Sequence, residues 1–458
     1  MVTLLKTDCA FLENELLDVV RLFKKRPASI VHSFRFEDGV FYNFFEVDEK
    51  AYSFERHGQV TNEIVFKRLE KRYAKLALFE ILQSISPERM PWGALTGIRP
   101  TKLAYMELES GRDFQETFRD MHVEEDNIQI IERVLKAQEG IYERSDKNVD
   151  MFVSLPFCPT KCAYCSFITA PIEKTRQYVD GYLSCLEKEI QGAYDLTGNL
   201  RSMYVGGGTP FALDEKELER VLKALSPLMK DGVEYTVEAG RPDVFTKEKL
   251  RLLEDYGVTR ICINPQTFSN ETLKTIGRKH TVEDVYKAFE MMQNHKFIVN
   301  MDLIAGLTGE TVETFVNGVE SAVKTGAENI TVHCLSLKSG AKLKEECTYL
   351  ENPSVSQMVA HSRSILTENG YEPYYLYRQK YQVGNNENIG WTKKGKACVY
   401  NVDVMEETAN NLAVGANAIS KRVENATNKI TRFSSPKDLP TYMAKIDEII
   451  EGKRKFFL

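Results

Sequence analysis

Between residues 149 and 345 the chain repeats one pattern: a short apolar stretch of strand character, a polar loop, and a longer stretch with apolar residues at helical spacing. The six candidate strands span residues 151–155, 202–206, 234–239, 259–264, 297–304 and 330–335. Helical stretches separate them, at residues 175–195, 215–229, 247–256, 282–294 and 310–324. Repeated strand–helix units build a parallel sheet with outer helices, open or curled toward a barrel. The pattern therefore predicts an α/β fold with its active site at the carboxyl ends of the strands.

The length of the chain leaves room for two further regions beside this core. Its 458 residues are about three times a typical domain of ~150 residues. We expect an N-terminal α+β domain over residues 1–148, the core over 149–345, and a C-terminal mixed α/β region over 346–458. The last region is expected to cover the substrate.

Local patterns fill in these flanking regions. Residues 30–54 predict a β-hairpin or a small sheet, and residues 62–84 predict a helix. Residues 90–100 hold two Gly and two Pro, which fits a turn-rich connector or an ordered functional loop. In the C-terminal region we expect a helix at 355–369 and helices from about residue 405 to the end.

Charge and hydropathy argue against two classes of protein. Sixty Lys and Arg residues against 66 Asp and Glu give a net charge of −6, unlike a protein that coats nucleic acid. No apolar run reaches the ~20 residues of a membrane-spanning helix. The N-terminal segment meets acidic residues too early for a secretory signal. We therefore expect a cytoplasmic protein without nucleic-acid or membrane partners.

Three of the nine cysteines lie close together, directly after the first core strand. Cys158, Cys162 and Cys165 form a CxxxCxxC motif, whereas the other six are scattered. Thiolates favour zinc, copper(I) and iron–sulfur clusters, and zinc sites usually take four ligands. Three thiolates on a cubane cluster leave one iron open to a ligand. The motif favours an iron–sulfur cluster; zinc and unrelated buried cysteines are the alternatives.

Further motifs follow the later strands. A GGGTP sequence with Gly207, Gly208 and Thr209 comes after the second strand, where glycine lets the backbone approach a ligand and Thr209 offers a hydroxyl. An ordinary tight turn is the alternative interpretation. Glu238 ends the third strand, as a ligand acceptor or as a satisfied polar residue.

In this order the motifs resemble those of the radical S-adenosylmethionine (SAM) superfamily. In that family the open iron binds SAM, and an electron from the cluster cleaves it to a 5′-deoxyadenosyl radical that takes hydrogen from the substrate. The resemblance implies a partial (β/α)6 radical SAM barrel, a [4Fe–4S] cluster on the three cysteines, and SAM as cofactor. The residues that it implies contact or lie near SAM are Phe152, Tyr164, Gly207, Gly208, Thr209, Glu238, Gln266, Arg278, Asp302 and Ile304.

The whole chain resembles the oxygen-independent coproporphyrinogen III oxidase (dehydrogenase) family in its HemZ-type branch. The branch motifs lie at residues 92–102, 377–385, 400–408 and 415–420. The resemblance implies an oxidoreductase of haem and porphyrin biosynthesis that converts two propionates of coproporphyrinogen III to vinyl groups, giving protoporphyrinogen IX. It implies a tetrapyrrole substrate and an electron donor such as flavodoxin or ferredoxin. A haem-binding chaperone and a tetrapyrrole methyl-transfer or ring-opening enzyme are the alternatives.

Two positions depart from the family. Its best-studied members carry Tyr and His six and four residues before the first cysteine, and this chain has Phe152 and Ser154 there. The hydroxyl contact to SAM and the histidine assigned to a second SAM or to proton handling are therefore missing.

Substrate propionates call for arginines, whose planar fork matches a carboxylate. Arg99, Arg241, Arg278 and Arg378 lie in or beside motifs, and we expect Arg378 and Arg241 to bind substrate. Surface salt bridges are the alternative for such arginines. His280 and His333 are interpreted as haem or proton-relay residues or as satisfied structural histidines.

Overall fold

A computed structural model describes residues 3–97, 99–165, 170–336, 354–379 and 386–458. The chain forms two compact units, Met1–Ile130 and Ile131–Leu458. The predicted domain boundaries at residues 148 and 345 stay predictions, and the second of them lies outside the described residues. None of the helices in the described ranges is long and apolar enough to cross a membrane.

The first unit is built on a four-stranded sheet. Its strands are β1 (Leu4–Thr7), β2 (Ser29–Glu37), β3 (Val40–Val47) and β4 (Lys50–His57), hydrogen-bonded in that order. Its helices are α1 (Glu13–Val20), α2 (Glu63–Ile85), α3 (Pro100–Glu109) and α4 (Phe114–Asp120), and α5 (Glu125–Ala137) spans the unit boundary. The predicted hairpin is confirmed and continues into β4. Asp38 and Gly39 both have positive φ, as the tight turn between β2 and β3 requires.

The motif loop at residues 90–97 is an ordered, packed turn. Trp92 is fully buried, and the Ala94 amide donates to the Met121 carbonyl at 2.8 Å. Gly93 has φ +49°, and a Cβ there would lie 2.1 Å from the Met121 carbonyl oxygen. Only glycine allows this close approach, so the motif is a packing element of the first unit.

The second unit is built on one large sheet. Its core strands are β5 (Asn148–Leu155), β8 (Asn199–Gly207), β9 (Glu234–Gly240), β10 (Arg260–Ile263), β11 (Ile298–Ala305) and β12 (Asn329–Cys334), with the short β6 (Phe157–Cys158) and β7 (Ala170–Pro171) paired beside them. Its later strands are β13 (Glu372–Tyr377), β14 (Asn388–Thr392), β15 (Asn410–Val414), β16 (Ile419–Glu424) and β17 (Lys429–Ser434). Strands pair in the order β13-β14-β12-β11-β10-β9-β8-β5-β15-β16-β17.

Helices connect the core strands and cover the sheet. They are α6 (Ile172–Gly192), α7 (Glu215–Leu225), α8 (Lys247–Asp255), α9 (Asn270–Thr275), α10 (Val282–Met292) and α11 (Val312–Lys324). Those after the core are α12 (Val355–Glu368), α13 (Val399–Glu406), α14 (Leu439–Ala444) and α15 (Ile446–Phe457). The α/β prediction and all six core strands are confirmed. These strands are parallel, so their carboxyl ends share one edge of the sheet.

The C-terminal region departs from the prediction of helices from about residue 405 onward. Residues 410–434 form β15, β16 and β17 instead, and helices return only at α14. β15 pairs with β5 as a further parallel strand, and all five of its residues are buried. The prediction was wrong here because a five-residue strand has little local signal, and its partner lies about 260 residues earlier.

A buried polar network, called here the C-terminal network, ties the last helices to the core. It consists of Glu189, Lys453, Tyr442 and the amide of Gly415. The Glu189 carboxylate accepts from the Lys453 ammonium, from the Tyr442 hydroxyl at 2.5 Å, and from the Gly415 amide at 2.8 Å. Each of these buried polar groups therefore has a partner, which holds α15 against α6.

Candidate functional site

Residues 158–165, the cysteine loop, are held from three directions. The Thr209 hydroxyl donates to the Cys158 sulfur at 3.4 Å, and the Ala163 amide donates to the Ile276 carbonyl at 3.1 Å. Within the loop the Cys165 amide donates to the Cys162 carbonyl at 3.2 Å. The three cysteines therefore lie on a loop that segments after β8 and α9 fix in place.

Arg241 is the third anchor of this loop. Its guanidinium binds both carboxylate oxygens of Asp243, at 2.9 and 2.6 Å, and donates to the Thr160 hydroxyl at 2.5 Å. The side chain is 2% exposed, so these contacts engage a fully buried charge. A role of Arg241 in binding substrate stays a prediction; the contacts present connect it to the cysteine loop.

The thiols fit the donor set of an iron–sulfur cluster. Burial, together with the neighbouring Cys165 and Cys162, raises the pKa of Cys158 to about 11, against the opposing effects of Thr209 and Arg241. Thiolate ligands are therefore costly here without a metal and are favoured once iron neutralises them. Within the described ranges no three His, Cys, Asp or Glu side chains converge on a single ion. The thiolates of a cubane cluster bind separate iron atoms.

The glycine-rich turn packs directly on the strand before the cysteines. A Cβ on Gly208 would lie 2.5 Å from the Phe157 carbonyl oxygen and 2.7 Å from that of Leu155. The amides of Gly208 and Thr209 donate to these two carbonyls at 2.7 Å each. The turn therefore needs glycine for backbone packing, and contacts of Gly207, Gly208 and Thr209 with SAM stay predictions.

Beside the cysteine loop lies a group of half-buried side chains, called here the inner cluster: Phe152, Tyr204, Glu238, Asp302, His333, Tyr377 and Tyr400. Burial and the charge of Asp302 raise the pKa of Glu238 to about 7, although the Tyr204 hydroxyl donates to Glu238 at 3.1 Å. Among the described residues no Lys or Arg pairs with Glu238 or Asp302 in an ion pair. The two carboxyl groups are near enough for the charge of one to raise the pKa of the other, and neither has a Lys or Arg partner in the described ranges.

An aromatic stack forms one side of the inner cluster. The Tyr204 ring lies 6.2 Å from Phe152 and 4.6 Å from Tyr400, centroid to centroid. Phe152 lies opposite Tyr204 in the β5–β8 register. The hydroxyl that Phe152 lacks is therefore present on the neighbouring strand. Sequence reasoning missed Tyr204 as a site residue; its position two residues before the GGG turn, on the inward face of β8, was the available signal.

Ser154, the second position that departs from the family pattern, makes structural hydrogen bonds within the second unit. Its hydroxyl donates to the Ala416 carbonyl at 2.8 Å, and its carbonyl accepts from the Tyr182 hydroxyl at 2.6 Å. A Cβ on Gly415 would lie 2.6 Å from the Ser154 carbonyl oxygen. The loop after β15 therefore occupies the space beside position 154.

The later predicted SAM residues lie together at the ends of β10 and β11. Gln266 has φ +72°, and it is held there because its amide donates to the Asp302 carbonyl at 3.0 Å and its carbonyl accepts from the Ile304 amide at 2.9 Å. Such strained backbone is frequent at functional sites. Arg278 is buried and donates to the carbonyls of residues 264 and 265, at 2.6 and 3.1 Å. Tyr164 and Ile304 share one apolar cluster.

A hydrogen-bond chain reaches Asp302 from β12 and β13. The Gln379 amide donates to the Tyr377 hydroxyl oxygen at 3.2 Å, and that hydroxyl lies 2.9 Å from His333 Nδ1. His333 Nε2, the other ring nitrogen, lies 3.6 Å from Asp302 Oδ1. His333 thus has polar partners on both nitrogens.

His280 and Arg378 are both buried but differ in their surroundings. Burial and the charge of Arg278 lower the pKa of His280 to about 3, and neither ring nitrogen has a hydrogen-bond partner among the described residues. Burial lowers the pKa of Arg378 to about 10, and the charge of Glu387 opposes this shift. Substrate binding by Arg378 stays a prediction, and residues 380–385 of its motif lie outside the described residues.

Comparison with known proteins gives a consistent result. A family model described as the radical SAM superfamily matches residues 152–322. A protein of Bacillus subtilis strain 168 named oxygen-independent coproporphyrinogen-III oxidase-like protein HemZ is 36% identical over 416 residues, which cover 87% of this chain and 83% of that protein. The heme chaperone HemW of the same organism is 35% identical over 190 residues, 40% of this chain and 49% of HemW.

Among solved structures, the Escherichia coli coproporphyrinogen III oxidase HemN, described as a radical SAM enzyme, matches with a TM-score of 0.54 and 21% identity. The match covers 69% of this chain and 72% of that one. It shows that the fold is shared, as predicted.

Proposed function

The chain belongs to the radical SAM superfamily, in the HemZ-type branch of oxygen-independent coproporphyrinogen III oxidase-like proteins, and from this we propose that it oxidatively decarboxylates coproporphyrinogen III. Members of this family use a [4Fe–4S] cluster and SAM. The reaction would convert two propionate side chains to vinyl groups and give protoporphyrinogen IX. The observation that carries the proposal is the 36% identity to the HemZ protein over 87% of this chain, beyond the radical SAM core.

Cys158, Cys162 and Cys165 would hold the [4Fe–4S] cofactor. The side chains of the inner cluster would hold SAM. When bound, these two groups supply one-electron chemistry that can remove a hydrogen atom from an unactivated C–H bond. The chain's own residues prepare the site. Arg241 and Thr209 hold the cysteine loop in one conformation.

The two acids of the inner cluster suit a cationic ligand. SAM carries a sulfonium and an amino group, and Glu238 and Asp302 offer carboxylates that have no Lys or Arg ion pair in the described ranges. A cation between them would relieve the repulsion that raises the pKa of Glu238. His333, whose Nε2 lies 3.6 Å from Asp302 Oδ1, would orient this carboxylate. The rings of Phe152, Tyr204 and Tyr400 would exclude water from this side.

Substrate binding calls for a cationic side chain that holds a propionate carboxylate, and we assign this role to Arg378. Each propionate loses carbon dioxide, one hydrogen atom and one electron as its vinyl group forms, so the carboxylate must be held while the radical chemistry proceeds. An arginine fork fixes both of its oxygens. Arg378→Lys should reduce carbon dioxide release while cleavage of SAM continues. If Arg378 serves only Glu387 and the fold, the variant would instead lose thermal stability with normal turnover per folded molecule.

The test is an anaerobic assay on protein reconstituted with iron and sulfide. SAM, a reductant or reduced flavodoxin, and coproporphyrinogen III are added, and carbon dioxide, 5′-deoxyadenosine and protoporphyrinogen IX are measured. A variant with Cys158, Cys162 and Cys165 all changed to Ala is the matched control. Carbon dioxide formed in step with 5′-deoxyadenosine supports the proposal; SAM cleavage without any carbon dioxide counts against this substrate.

A second candidate function follows from the similarity to HemW. That relative is named a heme chaperone and is 35% identical to this chain over 190 residues. On this alternative the protein would bind haem and transfer it without turnover of coproporphyrinogen. Haemin titration of the same reconstituted protein separates the two: stoichiometric haem binding together with absent carbon dioxide favours the chaperone, and loss of iron from haem favours ring opening.

A further inference from the structure

The first unit contains a cavity of about 750 Å³ with an unusual lining. Six cationic residues line it, against the single acid Glu15: Lys67, Arg68, Lys71, Arg72, Lys75 and Arg99. Five of them lie on α2, at spacings that place them along one face of the helix. The sixth follows the packed motif loop, whose Thr96 accepts from the Lys75 ammonium at 3.1 Å. We call this cavity the basic groove.

The acids around the basic groove do not neutralise it. Glu15 accepts from Lys71 and Lys75, at 3.1 and 3.3 Å. Glu107, next to the groove, binds Arg72 at 2.7 Å and is shared with Arg112. Glu63 pairs with Lys67 at 2.6 Å. Among the described residues, the five cations of α2 therefore have three acids as ion-pair partners, one of them shared with Arg112, and an excess of positive charge remains.

Arg68 is the clearest part of this excess. Its guanidinium contacts the Met106 sulfur at 3.9 Å, a weak acceptor, and its Nε is buried without a hydrogen-bond partner in the described part of the chain. Burial and the nearby charges of Arg72 and Arg112 lower the pKa of Arg68, and the charge of Glu107, which is bound to Arg72 and Arg112, only partly opposes this shift. A half-buried guanidinium among other cations lacks the anion that such a group needs.

The remaining walls of the basic groove are apolar. They include Phe11 and Ile64, which are 43% and 52% exposed, together with Leu95 and Leu103. The volume falls in the range of about 300–1,000 Å³ of small-molecule sites, and apolar walls with a few charged groups are their usual lining. A guanidinium fork matches the paired oxygens of a carboxylate or of a phosphate. The complementary ligand is therefore a flat or compact apolar molecule that carries several such anionic groups.

We propose that the basic groove is a tetrapyrrole-binding site of the first unit, which holds the carboxylates of a porphyrin or porphyrinogen through Arg68 and its cationic neighbours. The anionic and apolar character of the ligand is inferred from the groove itself. The choice of a tetrapyrrole rests on the proposed function, whose substrate has this chemistry. The site uses residues of the first unit alone, so it is additional to the Arg378 region.

The test uses coproporphyrin III, which is stable in air and fluorescent, titrated into the full chain and followed by fluorescence anisotropy. Arg68→Gln and Lys71→Gln remove one charge each from the groove, and Arg89→Gln is the matched control, since Arg89 is 76% exposed and paired with Glu124 elsewhere in this unit. Loss of a charged hydrogen bond of about 1.5–3 kcal/mol corresponds to roughly ten- to hundred-fold weaker binding. We expect coproporphyrin III binding at the groove to weaken by this factor in both groove variants and to stay unchanged in the control.

Two more measurements guard against a trivial explanation. Arg68→Lys keeps the charge without the fork, so it should bind between wild type and Arg68→Gln at an unchanged melting temperature. Protoporphyrin IX, with two carboxylates, should bind more weakly than coproporphyrin III, with four. Equal binding of coproporphyrin III by wild type and both groove variants would overturn the proposal. The proposal would also be overturned if flavodoxin reduced the iron–sulfur cluster more slowly in these variants while porphyrin binding stayed unchanged. The groove would then be a docking site for an acidic protein.

The outcome is separable from that of the proposed function. Carbon dioxide release with no groove-dependent porphyrin site leaves the decarboxylase and removes the groove proposal. Groove-dependent porphyrin binding without carbon dioxide release keeps the binding site and removes the decarboxylase. Uncoupled cleavage of SAM should be the same in Arg68→Gln and in wild type, because the groove lies outside the second unit.

Discussion

Two acids of the second unit, one buried and one half-buried, have opposite surroundings. Glu189, in the C-terminal network, accepts from an ammonium, a phenol and a backbone amide, and its charge is matched by Lys453. Glu238, in the inner cluster, has the Tyr204 hydroxyl and a backbone amide but faces Asp302, a charge of its own sign. The first arrangement is complete as it stands, whereas on the proposed function a cation would complete the second. Unmatched charge, more than burial itself, would then separate the ligand site from the structural one in this protein.

The largest expected effect concerns the cysteines of these two regions. Changing Cys158, Cys162 or Cys165 to Ala removes one thiolate from a three-thiolate site, so iron content and SAM cleavage should both fall to near background. Cys185→Ala is the control, since Cys185 lies on α6 near Glu189 and its sulfur contacts the Met443 carbonyl at 3.9 Å. Iron analysis and 5′-deoxyadenosine yield measure the difference. A Cys185 variant that loses as much iron as the others would erase the distinction between the regions.

The cysteine loop was also the part of the site that sequence could predict best, because its three ligands lie within eight residues. The six core strands were predictable for the same reason: each has a local apolar pattern and a helix after it. The aromatic stack was not, since Phe152, Tyr204 and Tyr400 come together only through strand register and a helix far along the chain.

Arginine roles were still harder to infer. Arg241 was expected at the substrate, and only the fold shows that its donors meet Asp243 and the cysteine loop. The cationic face of α2, in contrast, was readable from helical spacing alone. What sequence could not supply there was the count of neutralising acids, because Glu15 and Glu107 come from other helices.

The next effect is on the free energy of unfolding, and it should differ between the surroundings of Glu189 and those of Glu238. Lys453→Met leaves Glu189 as a buried charge without its cation, which should lower the free energy of unfolding by about 3–5 kcal/mol. Glu238→Gln removes a repulsive charge and should leave stability unchanged or higher. Urea-induced unfolding of both variants beside wild type measures this. Equal destabilisation by the two substitutions would mean that Glu238 is as structural as Glu189.

Binding of SAM should show the reverse order. The comparison is made on protein with its iron–sulfur cofactor reconstituted. Glu238→Gln and Asp302→Asn each remove one carboxylate from the inner cluster, which should weaken SAM binding by about 1–3 kcal/mol, roughly ten- to hundred-fold. Asp403→Asn is the control, because Asp403 is a buried acid of the same unit that is paired with Arg201 at 2.9 Å. Equilibrium dialysis with labelled SAM gives the affinities, and iron content is measured on the same samples. Unaltered SAM affinity in both Glu238→Gln and Asp302→Asn would place these acids outside the SAM site.

The smallest effect is a dependence of SAM affinity on pH. The pKa of Glu238 is raised to about 7, so near neutral pH a cation must displace a proton in order to bind the carboxylate. Affinity should therefore rise with pH, by roughly tenfold between about pH 6 and 7.5 for a group of pKa ~7. Glu238→Gln should lose this part of the dependence, and the slope that remains belongs to other groups, including those of SAM.

The stability of the ligand-free protein should change in the opposite direction over the same range. The folded-state pKa of Glu238 lies above its ordinary value of 4.5, so on raising the pH the unfolded chain releases this proton first. The contribution of Glu238 to folding is therefore fully present below about pH 4.5 and is lost as the pH rises through 7. A ligand site gains affinity as its empty form loses stability, because the same unmatched charge causes both. If wild type and Glu238→Gln show parallel pH profiles for SAM affinity and for unfolding, Glu238 is not the group that titrates, and the contrast with Glu189 has no electrostatic basis.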